Sequence, residues 1–187
     1  MILPIYAYGQ PVLKAEGQTL HIPEYPDLET LIQNMWDTMY SAKGVGLAAP
    51  QIGLSLKLFI VDTQLYQEEG KPFVGIKKVF INPVKLAETG EPWTFEEGCL
   101  SIPDLRADID RPPLLRLKYY DEAGIENEDL FDGLNARVIQ HEYDHVQGIL
   151  FIDLLKPLKK RMMQRRLEAI KKGQIETDYR LKFYRKP

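Results

Sequence analysis

The run His141-Glu142-Tyr143-Asp144-His145 sets two imidazoles four residues apart, with a carboxylate beside the first. An α-helix turns about 100° per residue, so positions i and i+4 lie about 40° apart on one face. Two imidazoles so placed can reach one ion. Glu142 is rotated off that line by about a further quarter-turn, which stands it beside the ion rather than on it. A base must stand there to take a proton from a water activated by a metal. The chain has only three histidines, and two of them sit on this segment, whose flanks read as buried. Buried imidazoles need polar partners, and a shared metal satisfies both.

Two histidines do not complete a catalytic site, which normally has three protein ligands and one position left for water. In the H-E-x-x-H-x-x-G-x-x-H pattern of zinc proteases the third ligand is a later histidine. Here Gly148 is followed by Phe151, which cannot ligate. Asp153 or an acidic residue further on could complete the set in another class of zinc endopeptidase. The other candidate is Cys99, in Thr94-Phe95-Glu96-Glu97-Gly98-Cys99-Leu100-Ser101-Ile102-Pro103. It is the only cysteine, so an internal disulfide is impossible. That leaves a buried filler, a reactive thiol or a metal ligand. Gly98 lets the backbone turn without a Cβ clash. A thiolate with two imidazoles and an open position suits Zn(II) or Fe(II).

The histidine pair needs a helix. Leu134, Val138, His141 and His145 recur with near-helical period and Gly148 stands where a C-terminal cap belongs, so the spacing predicts a helix over about 133–147. A second helix is expected over 27–43, where Leu28, Leu31, Ile32, Met35, Trp36, Met39 and Tyr40 share a face and Asp27 stands at the N-cap. Gly44-Val45-Gly46 reads as a flexible loop. Strands are expected at 57–62, 77–82, 114–120 and 125–131 from their β-branched and aromatic content. A third, basic helix is expected over 157–172, with Pro157 in its first turn. Strands and helices do not alternate regularly, which points to an α+β fold: mixed or antiparallel sheets packed around the metal-binding helix. Residues 1–155 are read as one catalytic domain and 156–187 as a helical extension of it.

A length of 187 residues suits one globular domain, and an apolar fraction of 44% argues against disorder. No apolar run approaches the roughly 20 residues that span a bilayer, and no signal-like start is seen, so a cytoplasmic protein without membrane contact is expected. Charge is uneven. Residues 156–187 carry 12 Lys/Arg against 3 Asp/Glu, whereas the rest carries 12 against 24. Such a tail would visit a polyanion such as RNA, dock on the acidic body, or stay a solvated helix. A non-catalytic RNA-binding protein with a structural metal is a further reading, but it needs a fourth ligand that the sequence does not offer.

Three segments together narrow these readings. Gly44-Val45-Gly46-Leu47-Ala48-Ala49-Pro50-Gln51, Glu97-Gly98-Cys99-Leu100-Ser101 and Gln140-His141-Glu142-Tyr143-Asp144-His145 resemble, in order and separation, the signature segments of the peptide deformylase family. The resemblance runs from the N-terminus to about residue 155 and does not cover the basic tail. It implies removal of the formyl group from the N-terminal methionine of nascent proteins. Cys99, His141 and His145 would hold the metal, and Glu142 would be general base and acid. The Gln51 amide and the Leu100 N–H would stabilise the oxyanion. Val45, Leu134 and Val138 would line a methionine slot, and Gly46, Glu97, Gly98 and Arg106 would border the peptide. Arg106 could instead support Glu97. Arg137 stands where an apolar residue is expected near the slot, and could reach out to the rim. The resemblance implies Fe(II) in the cell, with Zn(II), Ni(II) or Co(II) able to substitute. The tail could guide the enzyme to the ribosome.

Overall fold

A computed structural model describes residues 1–66 and 73–184 of the chain. The last three residues of the basic tail, 185–187, therefore lie outside the described part.

The organising element is a strand whose residues all avoid water. Leu58–Asp62 (β3) reads Leu-Phe-Ile-Val-Asp and is buried throughout. Side chains alternate across a strand, so each face of β3 needs its own cover. Leu58 and Ile60 pack with Met35, Trp36 and Met39 of the first helix, Leu28–Ser41 (α1). Phe59 and Val61 pack with Ala136, Val138, Ile139 and Val146 of the second, Gly133–Val146 (α2). Phe59 stacks on Phe80 at 4.7 Å between ring centroids.

The sheet between the helices is antiparallel, in the order β2-β3-β4-β7-β8, with Gly46–Ala48 as β2, Lys77–Thr89 as β4, Leu114–Tyr120 as β7 and Glu126–Asp132 as β8. The segment expected to be a flexible loop thus ends in an edge strand. Register fixes its sides: Leu47 joins the α1 cluster and Ala48 the α2 cluster. Gly46, two residues before Ala48, faces α2 as well.

A hairpin of Trp93–Cys99 (β5) and Ile102–Arg111 (β6) forms a separate two-stranded sheet. Its alternation of polar and apolar residues went unread in the sequence. Ile102, Ala107 and Ile109 of β6 share a third core cluster with Leu167 and Ile170 of the last helix, Pro157–Lys171 (α3). The basic tail is therefore docked through an apolar stripe. Ion pairs from Lys159 to Asp108, Lys160 to Asp153 and Arg166 to Asp104 tie it to the acidic body. Beyond α3 the chain returns, and Leu181–Lys182 (β9) pairs in parallel with Ile5–Tyr6 (β1). The three helices agree with the expected ones within two residues at each end. Asp27 sits at the N-cap of α1 but has φ +55° and caps nothing with its side chain.

Candidate metal centre

The helix α2 is buried along both sides. Its apolar side meets the sheet, and its other side, bearing Arg137, His141 and Asp144, meets the β5–β6 hairpin. Gly148 closes it with φ +72°, where an added Cβ would meet the Lys14 carbonyl at 2.8 Å. The hairpin turns immediately after Cys99, which brings the sulfur over the helix. Ligand atoms of Cys99, His141 and His145 lie within 4.8 Å of one another. Cys99 Sγ is 3.1 Å from His145 Nε2. They are the one such set among the described residues, and the set has three members.

The second nitrogen of His141 is held from behind. His141 Nδ1 lies 3.0 Å from Glu97 Oε2, and its N–H donates there, leaving Nε2 to face the sulfur. Glu97 is itself clamped. Arg111 donates through Nε at 2.7 Å and Nη2 at 3.1 Å, and Arg137 Nη1 at 3.0 Å. Arg111 Nη1 also reaches Asp144 Oδ2 at 2.7 Å. The result is a buried lattice of two carboxylates and two guanidiniums whose charges cancel. Glu97 pays for burial in part, yet its hydrogen bonds with His141 and Arg111 hold its pKa well below the ordinary carboxylate value. Burial opposes a proton on His141, but Cys99 and Glu97 outweigh it and raise its pKa. Negative charge that draws a proton to that nitrogen also draws a cation. Burial pushes His145 well below its ordinary value, so it is the neutral imidazole that ligation requires.

Glu142 occupies the opposite kind of place. It is buried, and among the described residues its Oε2 has no hydrogen-bond partner. Desolvation raises its pKa to about 7. Gly46 leaves the room for it, since an added Cβ would lie 2.7 Å from Glu142 Cγ and Cδ. Gln51 is buried with Oε1 accepting the Ala48 N–H at 2.8 Å, so its amide NH2 is turned to Ser101 Oγ at 3.3 Å and Cys99 Sγ at 3.5 Å. A cavity of about 720 Å³ opens over these groups between the edge of β2 and strand β5. A soft thiolate, two imidazoles and a partnerless carboxylate beside this cavity fit one divalent ion with a free coordination position.

A sequence model of the family described as polypeptide deformylase matches residues 2–161. The chain belongs to the peptide deformylase family. A peptide deformylase of Christiangramia forsetii is 50% identical over 98% of this chain and 96% of its own length, and one of Cytophaga hutchinsonii is 48% identical over 98% of each. The crystal structure of a peptide deformylase from Legionella pneumophila superimposes with a TM-score of 0.80 at 37% identity, covering 93% of this chain and 98% of that one.

Membership disfavours the zinc endopeptidase, and among the described residues the two histidines cluster with Cys99 and with no later acidic residue. Asp153 is turned to Lys14 and Lys160 and accepts the Leu150 N–H at 3.0 Å. Other expectations for a peptide deformylase site need correction. Leu134 lies outside the cavity lining and packs against the α2–sheet cluster. Arg137 does not reach the rim: it is 2% exposed, bonds Glu97, the Ile109 carbonyl at 2.9 Å and the Trp93 carbonyl, and lies over the Trp93 ring. The Glu97 carboxylate balances its charge, and the faces of Trp93 and Phe95 add cation–π contact. Glu97 lines the floor of the cavity, but its carboxylate is taken by Arg111, Arg137 and His141 rather than free for a peptide. Arg106 is exposed, 3.7 Å from Glu96, and leaves the support of Glu97 to Arg111. Val45, Gly46, Gly98, Leu100, Arg106 and Val138 do line the cavity. Arg111 and Asp144 were missed. A buried arginine facing a helix is signalled only by its three-dimensional neighbours.

Proposed function

We propose that this chain removes the N-formyl group from the N-terminal methionine of nascent peptides. The observation that carries this is the convergence of Cys99, His141 and His145 beside a partnerless Glu142. When bound by these three side chains, a divalent ion supplies Lewis acidity and a water acidic enough to act near neutral pH. Glu142 takes up the proton at its free Oε2 and returns it to the departing amine nitrogen. The Gln51 amide and the Leu100 N–H donate to the formyl oxygen as it gains charge. The free edge of β2 hydrogen-bonds an extended peptide, and Val45 and Val138 flank the methionine side chain. Gly98 allows close approach from the β5 side, where Arg106 borders later residues.

The in-cell ion is taken as Fe(II), on the resemblance and on the thiolate–imidazole set, which Zn(II), Ni(II) and Co(II) also suit. No helix of the described residues is long and apolar enough to cross a membrane. A cytoplasmic site of action, residues 1–155 as the catalytic body, and guidance to the ribosome by the exposed basic face of α3 complete the reading. The test is an anaerobic assay of formate release from formyl-Met-Ala-Ser. Wild type should turn over and Glu142→Ala should not. A metal-loaded wild type that releases no formate would defeat the proposal.

A further inference from the structure

The turn that follows Cys99 is gripped by both ends of the chain. Its two carbonyls accept hydrogen bonds from opposite termini: Ser101 O from the Tyr8 N–H at 2.8 Å, and Leu100 O from the Tyr179 hydroxyl at 2.8 Å. The two donors are brought together by the pairing of β1 with β9, in which Ile5 stands opposite Leu181 and Tyr6 opposite Lys182. Further bonds from the Ile5 N–H to Arg180 O at 2.9 Å and the Ala7 N–H to Lys182 O at 3.0 Å lock the junction. On its other side the Leu100 side chain rests on Gly44, where an added Cβ would lie 2.7 Å from Leu100 Cδ1. The Leu100 residue is thus fixed by its side chain, its carbonyl and its covalent neighbour Cys99. Residues 176–179 also form one wall of the cavity over the metal ligands.

We infer that Tyr179 is a positioning residue of the deformylation reaction, holding Leu100 so that its N–H stays aimed at the developing oxyanion. The inference rests on the proposed role of Leu100. An oxyanion donor is useful only if it is oriented before charge develops. The Leu100 carbonyl belongs to the peptide unit that follows Leu100, so the Tyr179 bond fixes that unit, and with the Leu100 side chain seated on Gly44 the residue is kept from turning about its own backbone bonds. The Tyr179 hydroxyl is a fit anchor. Burial raises its pKa, so it stays protonated and donates. The C-terminal segment thereby acts on the chemistry as well as on docking of the tail.

Tyr179→Phe removes one oxygen atom and keeps the ring that packs in place. With formyl-Met-Ala-Ser under anaerobic conditions, kcat should fall by about fivefold, the loss expected for one oriented hydrogen bond. KM should stay within about twofold, and bound metal per chain and Tm should match wild type. Tyr179→Leu should lose kcat at least as far. An unchanged kcat in Tyr179→Phe would overturn the inference, as would a loss of kcat accounted for by lost metal or lost folded protein. Failure of wild type to release formate would instead sink the deformylase reading itself, which separates the two outcomes.

Discussion

Two glutamates stand on either side of His141, and their surroundings differ in every respect that matters. Behind the histidine, Glu97 accepts from Arg111, Arg137 and His141, and its pKa is driven down. In front, Glu142 has a partnerless oxygen and a pKa raised to about 7 by desolvation. One carboxylate is saturated and works as structure. The other is left unsatisfied, at a cost in stability, with an oxygen free to take up a proton. The chemistry of a carboxylate here is set by its neighbours, and the two regions should respond differently when each is disturbed.

The largest effect expected is on the front carboxylate. Glu142→Ala should lower kcat for formyl-Met-Ala-Ser by roughly 10²–10⁴-fold. Bound metal should be unchanged and unfolding free energy should stay within about 1 kcal/mol of wild type, read by metal analysis and urea titration. Glu97→Ala should show the reverse balance. It strands the buried Arg111 and Arg137 charges, which costs about 3–5 kcal/mol of stability. By freeing the His141 ring it should also weaken metal affinity by roughly 10–100-fold. If Glu97→Ala were as stable as wild type, the two carboxylates would not differ in the way described.

Gly46→Ala sharpens the comparison without touching a charge. The new methyl group would collide with the Glu142 side chain, so kcat should drop on the order of tenfold while metal content holds. The smallest effect is in the pH dependence of stability of the metal-free protein, where the two carboxylates have opposite signs. The folded pKa of Glu97 lies below its ordinary 4.5, so its contribution is complete above that pH and is lost as pH falls. The folded pKa of Glu142 is raised from 4.5 to about 7, so Glu142 costs stability as pH rises from about 4.5, and the cost levels off above about 7. In urea titrations Glu142→Gln should therefore gain on wild type at pH 8 and not at pH 4. Glu97→Gln should lose to wild type at pH 7, by less at pH 3.

The two regions were also unequally legible in the sequence. The front was readable because it depends on spacing: His141, Glu142 and His145 are placed by helical geometry, and Cys99 was the only sulfur ligand of its kind. The back was not. Arg111 comes from the far end of β6, and nothing local marks it as the partner of Glu97. Arg137 is expected near the slot from the resemblance, where an arginine could reach the rim, and the resemblance does not show that the β5–β6 hairpin covers it. Leu134 is expected in the methionine slot from the resemblance, which does not show that it turns to the sheet instead. The β5–β6 hairpin was hidden by its charged outer residues. In the tail, charge drew notice away from the apolar stripe of Met163, Leu167 and Ile170 that docks it. The three helices were legible for different reasons: α1 from its apolar face, α2 from the spacing of Leu134, Val138 and the two histidines, and α3 from Pro157 in its first turn.

The central claim is that one cysteine sulfur and two helix imidazoles share a single ion. Anaerobic purification followed by metal analysis tests it directly, comparing wild type with Cys99→Ala. One divalent ion per wild-type chain, and little or none in a folded Cys99→Ala, is the predicted result. Equal metal content in the two proteins would contradict it.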